Sequence, residues 1–193
     1  MSATGRGAVR HPDDFYATPA WCIEALLRGC PLSSGRWLEP TAGDGAIAAE
    51  VLRHRHDVQW HLVESRAEEL RVGGGLLSRM QRADFPLEHV DEVEIRDFLT
   101  MPAPVQRFDV ALGNPPFSLA LEVIQHALTM ANTVCMLLRI NFLASQKRAD
   151  WMRKNTPSIY VLPKRPSFTG GKTDATEYSW FLWDGKPSRV VVL

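Results

Sequence analysis

Short apolar runs of β character alternate along this chain with stretches whose apolar residues recur every three to four positions. That alternation constrains the fold more than any other feature, because it calls for an α/β arrangement with a largely parallel sheet. Arg36–Pro40, Val58–Glu64, Val93–Phe98, Phe108–Leu112, Val134–Ile140 and Ile159–Leu162 read as successive strands, Tyr178–Trp183 as a further one and Val190–Leu193 as an edge piece. Between them, Pro19 opens a helix capped by Thr18 and running through Trp21, Ile23 and Leu26 to Gly29. Ala46–Arg53 forms a second helix, and the stretch after the second strand is helical until Gly73-Gly74-Gly75. Leu119–Met130, capped by Ser118, and Ser145–Asn155 complete the set. The expectation is a doubly wound, mostly parallel sheet of about seven strands with helices on both faces. Residues 1–13 read as an arm and 14–193 as one domain, in which 163–177, rich in Gly, Pro, Thr and Lys, forms an exposed loop.

Composition narrows the classes. The first residues lack an apolar core of signal-peptide type, and the most apolar stretch, Thr133–Leu143, is short and interrupted by Arg139. A cytoplasmic protein without membrane contact is expected. Three cysteines without ligand spacing imply neither a disulfide framework nor a metal site. The formal net charge is zero, but residues 1–138 hold 12 basic and 18 acidic side chains, against 10 and 4 in residues 139–193. A basic C-terminal third suits either a polyanion or a solvated surface.

In a doubly wound sheet, ligands bind beyond the carboxyl ends of the strands, near the point where strand order reverses. The chemically informative residues of this chain fall at four such ends: Glu39–Gly45, Glu64, Asp97 and Asn114–Phe117. Gly43-Asp44-Gly45-Ala46-Ile47-Ala48, with Glu64 about twenty residues on, matches the spacing of a dinucleotide fingerprint. A pyrophosphate, however, wants bare N–H groups, and Glu39 and Asp44 would crowd it with negative charge. S-adenosylmethionine suits the loop better, since its sulfonium and ammonium are cationic. Glu64 is then placed for the ribose hydroxyls and Asp97 for the adenine amine, with Phe98 against the ring. The bland alternative makes Glu39 and Asp44 ordinary loop acids and Asp97 a strand-end cap.

Asn114-Pro115-Pro116-Phe117 is the most specific motif. Consecutive prolines fix the backbone and remove two donors, so the carbonyls face outward as acceptors. The Asn114 side-chain oxygen and the Pro115 carbonyl then form a pair suited to one NH2 group. Two hydrogen bonds to an aromatic amine draw its nitrogen toward tetrahedral geometry and free its lone pair for attack. Phe117 would stack on the base face, which requires a base in a duplex to leave the stack. The bland alternative is a strand-ending turn before a helix.

Together, Thr18-Pro19, Leu38-Glu39-Pro40-x-Ala42-Gly43-x-Gly45, Glu64, Asp97-Phe98 and Asn114-Pro115-Pro116-Phe117 resemble the class I S-adenosylmethionine-dependent methyltransferases, which are Rossmann-like. Their order resembles the gamma-type DNA N6-adenine enzymes. The opening Asp14-Phe15-Tyr16-Ala17-Thr18-Pro19 and the tail Arg165-Pro166-Ser167-Phe168 to Glu177-Tyr178 resemble small phage-type adenine methylases. The resemblance implies that Asn114, Pro115, Pro116 and Phe117 hold the target adenine. It further implies that Glu39, Pro40, Ala42, Gly43 and Gly45 wrap the methionine part of the cofactor, Glu64 takes the ribose, and Asp97 and Phe98 the adenine. Thr18 on its Pro19 helix would touch the cofactor carboxylate, with Tyr16 and Asn114 lining the same pocket. The product would be S-adenosylhomocysteine.

No target-recognition domain of the gamma type is expected within these residues. Selectivity is then modest or comes from the 163–177 loop, a partner chain or a homodimer. Lys164, Arg165 and Lys172 are placed for phosphate contact. Methylation of RNA adenine or of protein glutamine is the alternative within the fold; a non-catalytic nucleic-acid-binding module and a nicotinamide-dependent oxidoreductase are rivals from other classes. Trp180, Trp183 and Cys135 read as core, and His54, His56 and His61 as surface residues.

Overall fold

The computed structural model describes residues 17–66, 75–82, 85–168 and 174–193. The arm, Tyr16, Gly73-Gly74 and Lys172 therefore lie outside the described residues. The strand-forming runs pair as β1 (Gly35–Glu39), β2 (Val58–Glu64), β3 (Val90–Ile95), β4 (Phe108–Gly113), β5 (Ala131–Arg139), β6 (Ser158–Val161), β7 (Tyr178–Trp183) and β8 (Val190–Val192). They form one sheet in the order β3-β2-β1-β4-β5-β7-β6-β8. β7 runs antiparallel to both β5 and β6, while every other pairing is parallel. The described helices are α1 (Ala20–Gly29), α2 (Ala46–Leu52), α3 (Leu76–Met80), α4 (Ala120–Met130) and α5 (Ala149–Lys154).

The sheet is buried on both faces, and the period of two decides which side chain goes where. Trp37, Leu112, Cys135, Leu137, Trp180 and Leu182 face one way and pack with α1 and α2. Leu38, Ala111, Val134, Met136, Leu138 and Phe181 face the other and pack with α4. Trp180 and Cys135 are fully buried, as their apolar strands require. The switch in strand order lies between β1 and β4, which pair directly through Trp37–Val110 and Leu38–Ala111.

Several expectations need correction. The sheet has eight strands, not about seven, because the edge piece Val190–Val192 pairs with β6 as a full strand. The third strand begins at Val90 and ends at Ile95, so Phe98 lies beyond it in a short 3-10 turn, Phe98–Thr100. Neither Thr18 nor Ser118 caps a helix: the residues at those caps are Pro19 and Leu119, without side-chain bonds. The Ser145–Asn155 helix is shorter, a 3-10 turn at Gln146–Arg148 followed by α5. His61 is buried, not superficial: its ring meets that of Phe108 edge-on at 5.3 Å, and its nitrogens turn to β3, the strand that pairs beside β2. Its Nε2 meets Glu94 at 2.8 Å and its Nδ1 faces Glu92 at 3.5 Å. Carboxylates on two different ring nitrogens clamp an imidazole rather than converge on an ion.

The carboxyl end of α4 is closed by a distant arginine. Arg107 donates to the Thr129 carbonyl at 2.8 Å, to that of Leu128 at 2.9 Å and to that of Ala131. These are terminal carbonyls that the helix itself leaves unpaired, and a cation there also complements the helix dipole. Arg107→Ala is expected to lower stability by about 1–2 kcal/mol. In a chain of this size that is a fall in Tm of about 2–8 °C, read by thermal denaturation. An unchanged Tm would mean that water replaces the guanidinium without loss.

Candidate active site

Four of the loops that follow strands meet at the order switch. After β1 the chain turns through two left-handed glycines, Gly43 (φ 58°) and Gly45 (φ 74°). The left-handed backbone at Gly45 favours glycine, and a Cβ there, 2.7 Å from Leu76 Cδ1, would also displace that side chain. The turn is fastened to β2: Ala42 N–H donates to the Val63 carbonyl at 2.8 Å, and Gly43 N–H donates to Glu64 Oε2 at 2.6 Å. Glu64 therefore holds the glycine loop in place. Its Oε1 also accepts from the backbone and the Nε of Arg66, each at 2.9 Å. A ribose diol approaching this carboxylate has to take over positions that Arg66 holds.

Glu39 is no ordinary loop acid. It is 1% exposed, and its Oε2 has no hydrogen-bond partner among the described residues. Burial, then the charges of Asp44 and Glu64, push its carboxyl well above the usual range, against the Ala48 N–H and Arg79. Thr41 Oγ1, two residues on, is likewise buried without a hydrogen-bond partner among the described residues. Asp44 is already paired: its Oδ2 accepts from Arg79 Nη2 at 2.5 Å, and its carbonyl from Arg79 Nε at 2.6 Å. With Asp44 paired, Glu39 is the acid that a cationic ligand would ionise, since burial favours its protonated form until a positive charge lies beside it. A buried acceptor without a partner beside a glycine turn fits the ammonium and sulfonium of S-adenosylmethionine and does not fit a pyrophosphate.

After β4 the chain presents Asn114-Pro115-Pro116-Phe117 beside that loop. Gly113 makes the approach close, since a Cβ on it would lie 3.3 Å from Pro40 Cδ and 3.4 Å from Met136 Sδ. Asn114 Nδ2 donates to Thr18 Oγ1 at 3.1 Å, across 96 residues of sequence. Thr18 is itself buried, and this bond is what its hydroxyl does in place of capping α1. The Pro116 carbonyl accepts from Leu119 N–H at 3.0 Å, closing the turn into α4.

The remaining expected residues have other partners in the structure. Asp97, exposed beyond β3, accepts from Leu99 N–H at 3.0 Å and so acts as the cap of its 3-10 turn. Phe98 is 3% exposed, and its ring meets that of His126 edge-on at 4.8 Å. It packs inside the α4 face, which is where the short turn after β3 aims it. Lys164 places Nζ 4.7 Å from the centroid of the Trp21 ring, in a groove shared with Arg28, Pro163 and Leu193.

Residues assigned no role from the sequence complete the rim. Arg139 at the end of β5 places its guanidinium carbon 4.1 Å from the centroid of the Phe117 ring. Tyr178 at the start of β7 lies 6.1 Å from Phe117 and 5.0 Å from Phe168, centroid to centroid. The one sequence signal for Arg139 is its charge in an otherwise apolar run.

No protein-family model matches the chain, and no curated protein matches it in sequence. Solved structures do match. The methyltransferase subunit of a type I restriction-modification system from Streptococcus thermophilus superposes with a TM-score of 0.68 at 14% identity. That match covers 92% of this chain, which spans only 47% of the subunit's length. A protein of Listeria monocytogenes assigned to the class I S-adenosylmethionine-dependent methyltransferases gives 0.61 at 15% identity, covering 90% of this chain and 62% of that one. The 23S rRNA methyltransferase ErmE gives 0.63 at 15% identity, covering 90% and 70%. The order of the sheet, its reversed seventh strand and these likenesses identify the fold as that of the class I S-adenosylmethionine-dependent methyltransferases.

Proposed function

We propose that this chain transfers a methyl group from S-adenosylmethionine to the exocyclic N6 amine of adenine in DNA. The observation that carries the reading is the Asn114 amide, held by Thr18 at the end of β4 and set beside Pro115 and the glycine loop. The bond from Nδ2 to Thr18 fixes the plane of the amide, and Oδ1 is the acceptor that this reading assigns to the target amine. With the Pro116 carbonyl bonded to Leu119, the Pro115 carbonyl is the second acceptor. These two oxygens accept both protons of the amine, localise its lone pair and aim it at the methyl group. S-adenosylmethionine, when bound, supplies an electrophilic methyl on a positively charged sulfur. Glu39 balances the charge of that ligand, Glu64 takes its ribose, and Asp97 lies at the adenine end. The amine becomes acidic once alkylated, so its proton passes to solvent without a tuned base.

Phe117 stacks on the base, which has left its duplex or is drawn from a single strand. Lys164 and Arg165, in the basic C-terminal part, face the nucleic-acid backbone, and a partner chain or second copy supplies what selectivity the reaction has. Thr18 acts on the amide of Asn114, a role distinct from the cofactor contact that the resemblance implies.

The test is a transfer assay with labelled S-adenosylmethionine on unmethylated duplex DNA, single-stranded DNA, RNA and cell protein, with nucleosides resolved by mass spectrometry. N6-methyladenine in DNA is expected. Label in RNA or protein alone would keep the mechanism and replace the substrate. No label, with S-adenosylhomocysteine still bound, would overturn the reading. Glu64→Ala is expected to weaken S-adenosylhomocysteine binding about tenfold or more, because it removes both a charged acceptor and the anchor of Gly43. An unchanged dissociation constant by calorimetry would remove the ribose assignment.

A further inference from the structure

The turn after β6 and the first helix enclose a groove on the same rim of the sheet as the candidate site. β7 runs against both β5 and β6, so β6 points the same way as β5 and β4, and β8 follows it. Pro163 and Lys164 therefore emerge at the carboxyl ends of the strands, as Asn114 does. The groove, of about 570 Å³, follows α1 from Trp21, three residues after Thr18, to Arg28, and Val191 and Leu193 line it from the edge of the sheet. Lys164 places its ammonium 4.7 Å from the centroid of the Trp21 ring and has no ion-pair partner among the described residues. The ring attracts the charge without serving as a conventional acceptor, so the N–H donors are left for another group. Arg28 Nη1 lies 3.5 Å from Glu24, but both side chains reach solvent, and a surface pair of this kind contributes little. No Asp or Glu is among the described residues that line the groove.

Cations along an otherwise apolar channel suit a polyanion, and the excess of basic residues in 139–193 favours the same partner. Resting on the reading that the substrate is adenine in DNA, we propose that this groove holds the sugar-phosphate backbone of the strand that carries the target base. Lys164 takes a phosphate close to the site. Arg28 takes one farther along, exchanging Glu24 for it. α1 is ten residues long, about 15 Å. With one phosphate per ~3.4 Å of strand, that length spans about four nucleotides. Contacts of this kind set the register of the strand and do not read its bases.

Salt dependence separates the outcomes, read by fluorescence anisotropy on labelled single-stranded DNA of mixed sequence from about 50 to 200 mM salt, with transfer kinetics alongside. Each phosphate contact on a single strand adds about 0.7 to the slope of log affinity against log salt. Lys164→Ala and Arg28→Ala should each lower that slope by about 0.7, and the double variant by about 1.4. Each should also weaken binding about two- to fivefold, alike on all base sequences, as loss of an exposed charge pair does. KM for DNA should rise with them while kcat and S-adenosylhomocysteine affinity stay within about twofold, since the contact is uniform through the reaction. Glu24→Gln, which releases Arg28, should tighten binding. Lys154→Ala removes an equal charge from α5, on the opposite face of the sheet, and should leave the slope unchanged. An unchanged slope in the double variant would overturn the proposal. So would an equal loss in Lys154→Ala, which would mean a diffuse field, or weakening on some sequences only, which would mean base contacts. Binding of polyglutamate that depends on both cations, with DNA binding unaffected, would give the groove to an acidic protein instead. The underlying reading fails separately: the wild-type protein would then make no N6-methyladenine, whether or not its DNA affinity depends on these two cations.

Discussion

Asn114→Ala should lower methyl transfer by about 10²–10³-fold, the scale seen when one preorganised hydrogen-bonding group is removed from a transition state. The affinity for S-adenosylhomocysteine should stay within about threefold of wild type, since Glu39, Gly43 and Glu64 are untouched. The loss follows from differential binding. An amine nitrogen conjugated to its ring gains little from Asn114 in the ground state and more as it becomes tetrahedral. Thr18→Val separates the chemistry of Asn114 from its orientation. It leaves the amide in place and removes the 3.1 Å bond that holds it. One hydrogen bond of about 1–1.5 kcal/mol corresponds to about a tenfold loss, well short of the alanine variant. Labelled transfer on DNA and calorimetry with S-adenosylhomocysteine read both quantities. A cofactor affinity that falls as steeply as the rate would assign Asn114 to the cofactor instead.

The parts of this protein legible in its sequence are those dictated by periodicity and by backbone chemistry. The alternating faces of β5 and β7 follow from a period of two, and the sheet buries them on the sides that pattern requires. The loop after β1 is readable because positive φ at two positions demands glycine. The third strand was readable only in part. Asp91, Glu92 and Glu94 dilute the apolar signal of an edge strand that is exposed along much of its length, so the apolar Val93–Phe98 reads as the strand, although the pairing starts at Val90 and stops at Ile95. Phe98 followed that shift, from a ring expected beside a ligand to one packed on His126.

What periodicity cannot show is which distant polar groups find each other. Thr18 before Pro19 has the local signature of a helix cap, and only the tertiary fold makes Asn114 a better partner for it. The same holds for Arg139, whose partners Asp174 and Tyr178 lie 35 and 39 residues further on. Asp44 illustrates the converse. Its charge was legible, but its neutralisation by Arg79 was not, and that pairing leaves Glu39 as the acid that matters.

Glu39→Gln should therefore have two effects of opposite sign. The carboxyl is buried, one of its oxygens lacks a partner among the described residues, and its pKa is raised first by burial and then by Asp44 and Glu64. A carboxyl whose pKa is higher folded than unfolded binds its proton more tightly in the folded state. Its contribution to stability is complete below the ordinary glutamate pKa of about 4.3 and is lost as pH rises through the folded value. The free wild-type protein should thus fall behind Glu39→Gln as pH rises from 5 to 8 or so, by about 1–3 kcal/mol at the upper end, the cost of a buried group left unsatisfied. Affinity for S-adenosylmethionine should move the other way. The neutral amide cannot balance a cationic ligand, and loss of a charged partner worth about 1.5–3 kcal/mol lowers affinity about 10- to 100-fold. Binding by wild type should also strengthen with pH as Glu39 ionises, while the variant stays flat. Thermal denaturation and calorimetry across that pH range test both halves. A variant that is less stable than wild type at pH 8 yet binds normally would make Glu39 a structural acceptor for Ala48 N–H and move the cation site elsewhere.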